Sequence, residues 1–168
     1  MIVKKRSGGG HKIIATGLGK NVPICEKFVG TMLSLGLDAN FLHTNTAVHG
    51  DMGMLKPGDL LIVLTKSGST AESVYLVNLV KMTKPDVKVC LLSFSEQSSL
   101  IEKIDSKVII KLDHEGDLWN VVPNHSTTIN LIVLQKISIE LSKRLNLSLE
   151  KDFKPNHPGG AIGAYLRK

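Results

Sequence analysis

Three stretches of the chain combine residue types that hold anions. Gly17-Leu18-Gly19-Lys20 closes a short apolar run: its glycines let backbone amides approach a ligand, and Lys20 brings a positive charge to the same edge. Thr65-Lys66-Ser67-Gly68-Ser69-Thr70 runs into a segment with helical spacing, so hydroxyls and free amides converge on a helix N-terminus, which is how a phosphate is cradled. The same residues suit plain capping by Ser69 or Thr70, with Glu72 in the first turn favouring the helix dipole, and the stretch alone does not choose between the two. Ser126-Thr127-Thr128 opens a long helical segment after Pro123 and can complete the cradle from another side.

Two common nucleotide chemistries are excluded. A dinucleotide turn needs a third glycine where Val22 stands, and Asp38 precedes the second strand when the ribose-binding acid should follow it. The triphosphate loop with Lys-Ser or Lys-Thr after its last glycine is missing. His49 with Asp51, and His114 with Glu115, have no recognised zinc or iron spacing, so neither a metal nor another cofactor is expected.

The elements that must position these groups are short Ile, Val and Leu runs alternating with helical stretches. The runs are Ile13 to Thr16, Asn40 to His43, Leu60 to Thr65, Val87 to Ser93, and Val108 to Leu112. Strands buried on both faces of a parallel sheet read this way. Val22 to Leu35, Thr70 to Thr83 and Ser98 to Ile104 carry helix-compatible spacings between them. The alternation predicts an α/β doubly wound sheet with right-handed crossovers, in which ligands bind beyond the carboxyl ends of the strands. The long segment Ser126 to Leu145, apolar on several sides, is expected to lie sandwiched in the core or in an interface.

At 168 residues one core is accommodated and two are not, giving a tail over 1–12 and a single domain over 13–168. The basic opening has no apolar stretch behind it, so neither a signal peptide nor a membrane anchor is expected, and the protein is placed in the cytoplasm. Cys25 and Cys90 read as buried, reduced thiols. The net charge of +6 is spread along the chain and aromatics are sparse, which argues against nucleic acid and fits a small anionic substrate.

The chain resembles the sugar isomerase (SIS) domain and, within it, the D-arabinose 5-phosphate isomerases that supply the precursor of Kdo, a bacterial surface sugar. Six ordered blocks carry the resemblance: Gly17 to Lys20, His49-Gly50-Asp51-Met52-Gly53-Met54, Pro57-Gly58-Asp59, Ser67 to Glu72, Ser126-Thr127-Thr128, and His157-Pro158-Gly159-Gly160-Ala161-Ile162-Gly163. It implies a three-layer αβα sandwich around a five-stranded, parallel, flavodoxin-like sheet. Ser67, Ser69, Thr70, Ser126 and Thr127 then correspond to phosphate binders, helped by Gly17, Gly19 and Gly68. Lys20, Glu72, Glu115 and His157 match the charged active-site positions, with His49 beside them. It also implies a dimer or tetramer with sites shared between subunits. The paired CBS modules usual in the group, and most of the helical segment before its first strand, have no counterpart here. Asp117 to Val122 and Asn124-His125 also depart from its pattern, which leaves the sugar open.

Aldose–ketose isomerisation moves a proton between C1 and C2 through an enediol and needs a base for the carbon and an acid near the carbonyl oxygen. On the resemblance, Glu72 or Glu115 shuttles the carbon-bound proton, His157 handles ring opening or the oxygen proton, and Lys20 steadies the enediolate. The rival reading is a non-catalytic module that senses a phosphosugar. No helix-turn-helix precedes the first strand, which disfavours a DNA-binding regulator. A third reading keeps the isomerase and changes the sugar phosphate.

Overall fold

The computed structural model describes residues 11–167. Five strands form one sheet: β1 (Ile13–Gly17), β2 (Ala39–Phe41), β3 (Leu60–Leu64), β4 (Lys88–Ser93) and β5 (Ser106–Ile109). All neighbours are parallel and the order is β2-β1-β3-β4-β5. The sheet is therefore the expected five-stranded parallel one. Its central strands are continuous apolar runs because both faces are covered. Ile13, Ala15, Ile62 and Leu64 pack with Cys25, Phe28, Met32 and Leu134 on one face. Ile14, Leu61 and Val63 pack with Leu76, Val77 and Val80 on the other. The covering helices are α1 (Asn21–Ser34) and α4 (His125–Arg144) on the first face and α3 (Ala71–Thr83) on the second.

Three sequence expectations need correction. Ser98 to Ile104 is not a helix but a run of turns. Leu100 N donates to Ser98 Oγ, and Gln97 N to Ser95 Oγ, so serine side chains capture the amides a helix would use. Leu100 is nonetheless fully buried in the core, which explains its helix-like apolar spacing. The last strand is Ser106–Ile109 instead of Val108 to Leu112, because Asp105 fixes its start: its carboxylate accepts from Val89 N and pairs with Lys81 and Lys88. The second strand is likewise displaced, to Ala39–Phe41.

Residues 1–10 of the expected tail lie outside the described residues. His11 and Lys12 are tied to the domain. Lys12 donates its backbone amide to Asp59 Oδ1 and pairs through Nζ with Oδ2, both at 3.0 Å. Short elements unseen in the sequence follow β2 and close the chain: α2 (Thr44–Ala47), a 3₁₀ turn (Asp51–Met54), a π turn (Leu149–Phe153), a 3₁₀ turn (Lys154–Asn156) and α5 (Gly160–Leu166). Among the described residues no helix is long and apolar enough to cross a membrane.

Candidate active site

The strand order reverses between β1 and β3, and the loops that leave these two strands enclose a cleft of about 220 Å³. Open parallel sheets bind ligands at this switch point, since adjacent loops there diverge to opposite faces. Leu18, Gly19, Lys20 and Asn21 line it from β1, Lys66 from β3, and Pro123, Ser126, Thr127 and Asn130 from the start of α4. The N-termini of α1 and α4 thus meet here with two ammonium groups and no lining carboxylate, an arrangement that favours an anion.

Glu115 lies beneath this surface, fully buried, and organises it. Its Oε1 is 2.6 Å from Lys66 Nζ. Its Oε2 accepts from Asn124 N at 3.1 Å and Ser126 N at 2.9 Å, capping α4 in place of a local side chain. Burial pushes the Glu115 carboxyl up, but Lys66, both backbone amides and the Ser126 hydroxyl outweigh it and hold the pKa at about 2. Gly116 makes the turn possible: its φ is +84°, and a Cβ there would sit 2.2 Å from His125 Nε2.

The loop from Thr65 to Thr70 adjoins the cleft through Lys66. Gly68 N donates to Thr65 Oγ1 and Ser69 N to Ser67 Oγ, so these two amides are used within the loop. Thr70 is the N-cap of α3 but makes no side-chain capping bond. The capping alternative for Thr70 is therefore not realised, and the first-turn amides of α3 keep their affinity for an anion. Gly68 has φ +68° and presses against the 95–100 turns, where Ser98 Oγ donates to Gly68 O at 2.7 Å.

The single chain gathers only part of the expected set. Gly19, Lys20, Ser126 and Thr127 share the cleft, Gly17 underlies it against Asn21, and Glu115 reaches it through Lys66. Thr127 Oγ1 donates to the carbonyls of Pro123 and Asn124. Ser67, Gly68, Ser69 and Thr70 stand on the adjoining loop. Glu72 is exposed in the first turn of α3, and His49 is exposed beyond α2; neither lines the cleft.

His157 lies away from the cleft, beside the far end of α1. Its ring stacks on Phe153 with centroids 3.9 Å apart, and its Nδ1 lies 2.9 Å from Phe153 O. Its neighbour Asn156 donates to Ser34 O, at the C-terminus of α1, whereas Lys20 stands at the N-terminus of the same helix. Fourteen helical residues span about 21 Å, so one chain does not bring His157 to its own cleft.

Sequence reading missed Lys66, Asn21 and Asn130. Asn130 is 1% exposed and donates to Asn21 Oδ1 at 2.9 Å. Its place four residues beyond Ser126, on the same face of the helix, was the available signal. Lys66 stands inside the anion-holding 65–70 stretch but is given no role by the sequence; its position two residues after the central strand β3 is the clue.

Known proteins similar to this chain form a consistent set. The SIS domain profile matches residues 9–135. Arabinose 5-phosphate isomerase KdsD of Francisella tularensis is 33% identical over 165 residues, 98% of this chain and 50% of that protein. KdsD of Pseudomonas aeruginosa is 32% identical over 158 residues, 94% of this chain and 48% of that protein. The chain thus spans about half the length of the curated relatives it matches. An Escherichia coli CFT073 protein, solved in complex with arabinose 5-phosphate, superposes with TM-score 0.82 at 30% identity, covering 93% of this chain and 80% of that one.

Proposed function

Because the chain belongs to the SIS domain family, we propose that it is a sugar-phosphate isomerase interconverting D-ribulose 5-phosphate and D-arabinose 5-phosphate through an enediol. The observation that carries this is the cleft at the switch point, where Lys20, Lys66, Ser126 and two helix N-termini surround a space lined by no carboxylate. Phosphate binds at the Ser67–Thr70 loop and the uncapped start of α3, and the sugar extends toward Lys20. Relatives named as arabinose 5-phosphate isomerases, and the likeness to a protein solved with that sugar phosphate, support the choice of a pentose.

Proton transfer between C1 and C2 falls to Glu72. Its side chain is exposed at the head of α3, while Glu115 is buried with both oxygens engaged. Lys20 has no carboxylate partner among the described residues and stabilises negative charge on the sugar oxygens. His157 acts on the oxygen proton or on ring opening in the site of a neighbouring copy, since its own cleft lies at the other end of α1. The working protein is a homo-oligomer on this account.

Incubation with D-ribulose 5-phosphate and detection of D-arabinose 5-phosphate tests the proposal directly. Formation of the aldose supports it. Binding without conversion would point to a phosphosugar sensor, and conversion of a different ketose phosphate only would change the substrate and keep the chemistry.

A further inference from the structure

The ion pair between Lys66 and Glu115 joins the one cation on the β3 loop of the cleft to the carboxylate under its floor. Lys66 is fixed from both sides. Its carbonyl accepts from Phe94 N and from Ser93 Oγ, each at 3.0 Å, anchoring the main chain to the end of β4. Its ammonium is drawn to Glu115 Oε1, and Glu115 is in turn clamped to the start of α4 by Asn124 N and Ser126 N. Even so, the Lys66 side chain remains 49% exposed and lines the cleft. A long, flexible side chain is thereby held at one place on a ligand-facing wall without being buried.

We infer that Lys66 is a further catalytic residue, whose ammonium, positioned by Glu115, meets the negative charge that develops on the substrate's carbonyl oxygen during enolisation. The role rests on the isomerase function proposed above. In the step concerned, a base removes the proton from C1, the C–H electron pair becomes the C1=C2 bond, and the carbonyl pair moves onto O2. The O1 proton then passes to O2, the O1 electron pair forms the C1=O1 bond, and the C1=C2 pair takes the proton back from the base at C2, giving the aldose. No oxidant or reductant enters, and the only new charge is on oxygen.

Charge balance decides between this oxygen and the phosphate. A phosphate is a permanent dianion and already has the hydroxyls of the 67–70 loop and the free amides of α3. A lysine already paired with a carboxylate attracts that dianion less than an unpaired one would. Charge present only in the transition state gains most from a cation that is held in place beforehand and need not reorganise. Glu115 supplies that constraint, and is a positioning residue.

The test uses the complete chain with D-ribulose 5-phosphate. Lys66→Met is expected to lower kcat by about 100-fold while KM stays within about 3-fold, the pattern of a group that acts in the transition state alone. Because this variant strands the Glu115 charge, the double variant Lys66→Met/Glu115→Gln, which keeps an acceptor for Asn124 and Ser126, is measured beside it and should show the same kcat loss. Lys66→Arg should recover part of it. A phosphorylated hydroxamate that mimics the enediolate should lose affinity for K66M, whereas the phosphorylated alditol of the same length should not. A KM rise with unchanged kcat, or equal loss of both ligands, overturns the role and assigns Lys66 to the phosphate. Normal kinetics in both K66M variants overturn it outright. Absence of turnover by the unaltered chain overturns the isomerase function and this role with it.

Discussion

Glu115 ties a buried charge to the cleft and to the head of α4 at once. Its carboxyl is held at about 2 instead of 4.5: burial raises it, and Lys66, the Ser126 hydroxyl and two amides outweigh that effect. A folded-state pKa below the unfolded one means that the carboxylate stabilises the fold above about pH 4.5, and that this contribution is lost as pH falls from there through about 2. Glu115→Gln should therefore cost about 2 kcal/mol at pH 7 in urea unfolding. Its midpoint should also vary less than the parent's between about pH 5 and pH 2.5; parallel curves would contradict the ion pair's contribution. Burial likewise pushes the Cys25 thiol up to about 12, so it should resist thiol reagents until the chain unfolds, while half-buried Cys90 reacts first. Lys20, Ser126 and Thr127 were legible in the sequence because a glycine turn and a hydroxyl cluster advertise them. Lys66 was not, because what distinguishes it from other loop lysines is a buried partner far along the chain, and only the fold brings the two together.

Among the elements, the strands most legible in the sequence are those covered on both faces, β1, β3 and β4. Apolar residues fill their central positions and the runs have no competing explanation. Elements that owe their shape to side-chain hydrogen bonds were opaque. Ser98 is the clearest example, with an apolar neighbourhood that mimics a helix and a hydroxyl that bonds Gly68 O and Leu100 N. The turns from Leu149 to Asn156 were opaque for a related reason: they are fixed beside the ends of α1 and α4, with Asn156 donating to Ser34 O, and not by periodicity. The 65–70 loop and the 95–100 turns meet so closely that a Cβ on Gly68 would lie 2.1 Å from Ser98 Oγ, at a φ of +68°. Gly68→Ala should cost about 2 to 4 kcal/mol, and adding Ser98→Gly should recover only the steric part, leaving the backbone strain. Thermal unfolding of the single and double variants reads this out; full recovery would mean that the conformation itself is unstrained.

The whole molecule presents a cleft at one end of α1 and His157 at the other. If each site takes Lys20 from one copy and His157 from another, Lys20→Ala and His157→Ala should each be nearly inactive alone. Mixed under conditions that exchange subunits, a dimer should regain about a quarter of the parental rate, because half of the pairs are hybrids and each hybrid has one intact site. No recovery from two folded, exchanging variants would place each site within one chain. α1 starts with the cleft and finishes where Ser34 O holds Asn156 beside the stacked Phe153 and His157. In an assembly built this way, a single strut of about 21 Å fixes the distance between neighbouring catalytic centres. One residue inserted in its middle would turn its two ends out of phase by about 100° and uncouple two sites at once, although it touches neither.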